Sequence, residues 1–173
     1  MRAVATILGI LVVEIVGGLA YIYSGSYDVA ASTPDNPIVG WILGTTSDRS
    51  VSRQAEGIVA PTLTNPVMIG RGLDRYREDC AQCHGAPGKY PTELAEGMTP
   101  QPPRLWESVK DMSPGEVFWV VKHGIKMTGM PAWAHAYKDD DIWSVVAFLK
   151  QSFPTLSADE YKRLDQEAAQ KKK

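Results

Sequence analysis

The 173-residue chain has few of the residues that build metal clusters and disulfide frameworks, with two cysteines and three histidines. A structural zinc site usually needs four Cys or His ligands, and no second cysteine pair is present to supply them. Basic residues are not in excess either, because Lys and Arg total 18 against 20 Asp and Glu. This balance argues against a nucleic-acid partner. No strand pattern precedes the cysteines, which argues against a thioredoxin-like βαβ unit.

Both cysteines belong to one motif, C-A-Q-C-H at residues 80–84. Two thiols separated by two residues can form thioethers to both vinyl groups of one haem, and the histidine that follows then becomes the proximal iron ligand. The motif therefore predicts one covalently bound haem c, held by Cys80 and Cys83, with His84 as an axial ligand of the iron.

Other uses of the motif stay open at this point. A disulfide between the two cysteines would close only a very small loop, and a redox-active pair lacks its usual setting. A zinc site would have to add the distant His123 or His135 to the three residues of the motif, an unusual ligand set.

The N-terminus carries a long apolar run from Ala3 to Tyr23, which contains one charged residue. At about 1.5 Å per residue, a helix of this length spans a hydrocarbon core of about 30 Å. The run predicts a transmembrane anchor over residues 1–24, with a cleaved signal peptide as the alternative. Arg2 precedes the run and Asp28 follows it, so the positive-inside rule predicts a cytoplasmic N-terminus and a periplasmic haem domain at a bacterial inner membrane.

Glu14 lies near the middle of this run, where a carboxylate costs about 2–3 kcal/mol on insertion scales. It is either protonated or turned toward the interface, or it forms a hydrogen bond with another membrane subunit. Gly17 and Gly18 would allow a second helix to approach closely.

Residues 25–65 are rich in Ser, Thr, Pro, Asp and Asn, and predict an extended linker arm that packs loosely. Within this arm, the apolar residues Ile38 to Leu43 form what we call the 38–43 patch. The patch could lie on the membrane surface, dock onto a partner, or cover the core of its own domain. We expect a membrane complex to contact both Glu14 and the 38–43 patch.

The remaining chain predicts a haem domain over residues 66–153 and a C-terminal helix with a basic tail over residues 154–173. Apolar periodicity and capping signals predict four helices. They are expected over residues 66–80, 113–122, 139–153 and 157–169.

A second iron ligand is predicted in the segment I-K-M-T-G-M-P-A-W at residues 125–133. A thioether sulfur favours reduced iron and raises its potential. Met130, which precedes a proline, is the better candidate, while Met127 could pack against the haem edge as an apolar side chain. A bis-histidine iron that uses His123 is a further alternative.

These two motifs, in this order and joined by helices, resemble a bacterial class I cytochrome c. The resemblance covers residues 67–153 and implies an all-α fold, to which this chain adds a transmembrane helix before the domain and a surface helix after it. In that family the first and last helices cross nearly at right angles. Gly70 or Gly72 would lie at the crossing, with Trp143 or Phe148 opposite.

The resemblance also implies a proline-containing loop whose carbonyl accepts a hydrogen bond from Nδ1 of the axial histidine. The matching stretch is residues 102–105, where Pro103 is the expected acceptor. Arg104 or Trp106 would lie near a haem propionate.

With both axial positions filled by protein, the predicted role is one-electron transfer rather than enzyme catalysis. The chain would act as a membrane-tethered carrier or as a cytochrome subunit of a respiratory complex, with redox proteins as partners. The alternative is a ligand sensor or small peroxidase in which Met130 is displaced from the iron.

Overall fold

The computed structural model describes residues 2–171. These divide into two compact units, and the boundary along the chain lies between Pro34 and Asp35. The first unit contains helix α1, Arg2–Tyr23, whose side chains are exposed throughout. Among the described residues, α1 is the one helix long and apolar enough to cross a membrane, with a mean hydropathy of 2.3. The helix predicted from Ala3 to Tyr23 is therefore confirmed, and it is a candidate membrane anchor.

The second unit is helical. Within residues 35–171 the structure has no β-strand, and its β-type pairing is an isolated bridge between Ala86 and Lys89. The all-α prediction is thus confirmed. Its longer helices are α2 Pro37–Gln54, α3 Pro66–Arg75, α7 Pro114–His123, α8 Asp139–Gln151 and α9 Ala158–Lys171. Its shorter elements are a π-helical turn Tyr76–Cys80, α4 Ala81–His84, α5 Glu93–Glu96, α6 Leu105–Ser108, and 3₁₀ turns at Trp133–His135 and Phe153–Thr155.

Helices α3 and α8 pack directly against each other at Gly72. A Cβ at this position would lie 1.9 Å from the Ser144 carbonyl oxygen and 2.8 Å from Cβ of Phe148, whereas a Cβ at Gly70 would meet nothing within 4 Å. Gly72 is thus the small residue at the crossing, with Phe148 opposite. Trp143, the other residue expected there, stacks on Phe118 of α7 with ring centroids 4.2 Å apart.

The core forms around α8, in which every residue from Ile142 to Leu149 is buried. Tyr76, Phe148 and Phe153 pack on one another, with ring centroids 4.6–5.5 Å apart. The surface helix predicted for the tail is present as α9, and its Tyr161 reaches this aromatic cluster and is buried.

The structure corrects the prediction that residues 25–65 form an extended, loosely packed arm. Asn36 and Pro37 belong to the Asn- and Pro-rich composition on which that prediction rests, but they are the N-cap and first residue of α2. The Asn36 side chain accepts a hydrogen bond from the Ile38 N–H. Val51 is buried in the second half of this helix, and Leu63 is part of the core. A strong N-cap and these buried apolar side chains favour helix over extended chain. The other domain boundaries remain predictions.

Candidate haem site

The cysteine motif lies where the first helix of the domain ends. Helix α3 continues through the π-helical turn into α4, and Gly85 stops the helix with a φ of 64°. Both cysteines are free and partly exposed. Burial raises the pKa of the Cys80 thiol to about 12, and the neighbouring Asp79 carboxylate adds to the shift. The two thiols lie on one short helical segment, and neither is part of a disulfide. Because of its raised pKa, the Cys80 thiol is protonated at neutral pH.

His84 is held in one orientation. Its Nδ1 lies 2.8 Å from the Pro103 carbonyl oxygen, so the hydrogen bond implied by the resemblance is present. The ring is buried, which lowers the pKa of His84, and the bond to Pro103 opposes part of that shift. A neutral imidazole that donates its Nδ1–H keeps a lone pair on Nε2, the form required of a metal ligand.

The start of the loop after the motif is tied to the core by Tyr76. This side chain is fully buried, and its hydroxyl donates a 2.6 Å hydrogen bond to the Gly85 carbonyl. The bond fixes the backbone directly after His84. Nothing in the sequence around Tyr76 signals this polar contact.

Met130 lies in a loop that folds back on the end of α7. The Ile125 N–H donates to the Met130 carbonyl over 3.2 Å, and the Met130 N–H donates to Oγ1 of Thr128 over 3.1 Å. Gly124 is required here, because its φ is 66° and a Cβ would lie 2.6 Å from the Met130 carbonyl oxygen. Met130 is half-buried, whereas Met127 is 95% exposed. The backbone around Met130 is therefore defined by its own hydrogen bonds.

The other predicted pocket residues follow Pro103 directly. The Arg104 guanidinium lies 5.9 Å from the centre of the Trp106 ring, and Trp106 packs edge-on against Phe153. His123 is exposed, like His135, and it lies beside Trp119 with ring centres 5.1 Å apart. Pro103 and His84 are the predicted site residues that the structure places in direct hydrogen-bonding contact.

Two features of the site were missed by the sequence analysis. The Tyr137 hydroxyl donates to the Asp79 carboxylate, next to Cys80, and Trp133 stacks on Tyr137 with ring centroids 5.2 Å apart. This pair links the segment after Met130 to the end of the cysteine-bearing helix. Burial and the Asp79 carboxylate raise the pKa of Tyr137. The i, i+4 spacing of the two aromatic residues is the only sequence signal for this contact.

The second missed feature is Met98. Its sulfur lies 2.6 Å from the position that a Cβ of Gly129 would take, so Met98 packs against the loop that carries Met130. The residue lies in a stretch with no periodicity, and nothing in the sequence distinguished it.

The donor set fits covalent haem better than zinc. Within residues 2–171, no group of three or more His, Cys, Asp or Glu side chains could hold a metal ion. Two free thiols and a buried histidine with a fixed ring are the groups that attachment of haem c requires. The described residues therefore favour haem attachment over the zinc alternative.

Residues 68–149 match the model of a protein family described as cytochrome C oxidase, cbb3-type, subunit III. The matched segment runs from α3 to α8 and contains both the cysteine motif and the Met130 loop. No curated protein matches the chain.

Proposed function

From the premise that the chain carries a c-type cytochrome domain, we propose that it transfers single electrons at the outer face of a bacterial inner membrane. It does so as a cytochrome subunit of a respiratory complex, or as a carrier tethered beside one. The observation that carries this proposal is the buried His84 ring, fixed by Pro103 next to two free cysteines.

One haem, bound through thioethers to Cys80 and Cys83, would supply an iron that cycles between Fe(II) and Fe(III). His84 would bind the iron through Nε2 and keep its orientation through Pro103. Met130 would be the second axial ligand, in a loop whose backbone is already hydrogen-bonded. With both positions taken by protein, neither residue has to exchange for electron transfer to occur.

Helix α1 would hold the domain at the membrane, with the N-terminus in the cytoplasm and the haem in the periplasm. The run Ala3 to Tyr23 supports this through its length, and Arg2 supports the orientation. Two contacts were predicted for a partner complex, at Glu14 and at the 38–43 patch. Glu14 lies inside the apolar run, where a hydrogen bond from another subunit would stabilise its carboxyl group more than it would in water. The proposal of a partner subunit rests on this residue.

The first test is covalent attachment of haem. The chain is expressed with haem-maturation machinery, denatured, and stained for haem after separation by size. Stain that stays with the full-length chain, and is lost in Cys80→Ala/Cys83→Ala, is the expected result. Extraction of all haem by acid acetone from the parent chain would refute the proposal.

The second test compares Met130→Ala with Met127→Ala, since the two methionines share one loop. The reduced Met130→Ala protein should lose its six-coordinate spectrum and bind carbon monoxide at least tenfold more tightly than the parent. Met127→Ala should match the parent. If the parent itself binds carbon monoxide with displacement of methionine, the sensor or peroxidase function replaces electron transfer as the better explanation.

A further inference from the structure

The first half of α2 carries apolar side chains that the rest of the second unit does not cover. Ile38, Trp41, Ile42 and Leu43 are 67%, 69%, 48% and 57% exposed. A Cβ at Gly40 would meet nothing within 4 Å. Val39 is half-buried, but the other four apolar side chains of the 38–43 patch do not cover the core of their own domain, which corrects that alternative.

The apolar side chains of the patch are spread around the helix rather than aligned in one stripe. At 3.6 residues per turn, the apolar side chains cover an arc of about 200° that runs from Trp41 to Leu43. Ile38, Ile42 and the half-buried Val39 lie on this arc. A groove on a partner protein covers one face of a helix. A helix that is apolar on most of its circumference is suited to an apolar medium that surrounds it.

The composition of this helix end suits the interfacial region of a lipid bilayer. Residues 37–47 contain no Asp, Glu, Lys, Arg or His, so insertion would not strip water from a charge. Trp41 combines a large apolar ring with one N–H donor, the combination enriched where lipid tails meet water.

The chain itself keeps the patch close to a membrane. Helix α1 ends at Tyr23 and α2 begins at Pro37, so residues 24–36 are the whole connection. Thirteen residues reach at most about 45 Å when fully extended. We propose that the 38–43 patch inserts into the headgroup region of the bilayer that α1 crosses. This inference rests on the membrane anchor of the proposed function.

The second half of α2 gives this contact a consequence for the haem domain. Val51 and Ala55 are buried against the domain, and Oγ of Ser52 donates a 2.6 Å hydrogen bond to the Glu116 carboxylate in α7. A Cβ at Gly115 would lie 3.0 Å from the Ile58 carbonyl oxygen, so the chain after α2 is also close to α7. Because one rigid helix makes both contacts, insertion of its first half would set the orientation of the haem domain relative to the membrane.

The test measures the depth of single spin labels on the full-length, haem-loaded chain in lipid nanodiscs. One label is placed at Ile42→Cys, inside the patch. The matched control is Val59→Cys, a position 84% exposed in the loop after α2. Power saturation compares collisions with oxygen, which concentrates in lipid, and with a water-soluble nickel chelate. We expect oxygen to dominate at residue 42 and the nickel chelate to dominate at residue 59.

Three results would overturn the proposal. The first is equal nickel accessibility at residues 42 and 59, which would mean that the patch is in water. The second is protection of residue 42 from both reagents, which would mean that protein covers it. The third is dipolar broadening that grows with the number of chains per disc, which would identify a second copy as the occupant. Two controls on the same discs separate a failure of the proposed function from a failure of this inference. The absorbance of the attached haem reports loss of haem binding, and co-elution of the chain with the discs reports whether α1 is inserted.

Discussion

Gly72 is the residue on which the packing of the haem domain depends most directly. In the space for its missing side chain stand the backbone of Ser144 and Cβ of Phe148, and neither belongs to the flexible end of a side chain. The resemblance to class I cytochromes c narrowed the crossing to Gly70 or Gly72 and did not distinguish the two. Only the rotation of α3 relative to α8 distinguishes them, and that rotation is a property of the packed pair.

We therefore expect Gly72→Ala to destabilise the domain by about 1–3 kcal/mol, the usual range for overpacking, because the contact is with backbone. The free energy of unfolding is measured by urea denaturation of the haem-loaded protein, followed by circular dichroism. Gly70→Ala is the control, and its better helix propensity should add up to about 1 kcal/mol. Equal stabilities for the two variants would contradict the crossing described here.

Tyr137 and Met98 show where residue-scale prediction stops. Cys80, His84 and Met130 belong to short sequence motifs, so their roles can be predicted from the residues next to them. The Tyr137 hydroxyl instead bonds to Asp79, which is 58 residues away, and Met98 packs on a glycine that has no side chain to signal the contact. Such contacts depend on how the backbone folds, so no local sequence pattern predicts them.

At the scale of elements, the capping signals predicted where helices begin. The linker-like composition of residues 25–65 led to a wrong prediction of extended chain where α2 lies. Ser113 and Glu116 form the expected capping box, in which each side chain bonds the backbone N–H of the other residue. The same logic applied to Asn36 and Pro37 would have found α2. The polar residues between positions 44 and 54 hid it, because they form the exposed side of a helix that buries little beyond Val51.

Glu116 connects two elements, and this makes its ionisation important for the fold. Its carboxylate accepts hydrogen bonds from Ser52 in α2 and from the Ser113 N–H at the start of α7. These bonds lower the pKa of Glu116, the bond from Ser52 most of all. Because the folded pKa lies below the unfolded value, the stabilisation is complete above the unfolded pKa of about 4.3 and is lost as the pH falls through the folded pKa.

The stability of the parent chain should therefore decline as the pH falls below the unfolded pKa of about 4.3, and Glu116→Gln should show a shallower decline over the same acid range. Thermal melts of both proteins at half-unit pH intervals measure the difference. Ser52→Ala keeps the capping box and removes only the contact with α2, so its acid decline should be intermediate. Parallel pH profiles for the parent and Glu116→Gln would show that the carboxylate is not linked to folding.

At the scale of the whole molecule, the chemistry and the location come from different parts of the chain. Residues 68–149 hold the haem motifs and match a known family, whereas the preceding residues lie outside that match. The candidate anchor α1 could be predicted from its length and hydropathy, which are properties of the local sequence. Its partners depend on surfaces that composition does not specify.

Glu14 is the residue by which a partner in the membrane can be tested. If its carboxyl group bonds to another subunit, Glu14→Leu should dissociate the chain from a large assembly in detergent extracts of native membranes, because no polar group remains to make the bond. Glu14→Gln keeps a donor and an acceptor at the same place, so it should retain most of the assembly. Native gel electrophoresis with haem staining shows both the size of the complex and the integrity of the cytochrome domain. A parent chain that already migrates as a monomer, or a Glu14→Leu chain that stays in the assembly at full yield, would rule out this contact and leave α1 as an anchor alone.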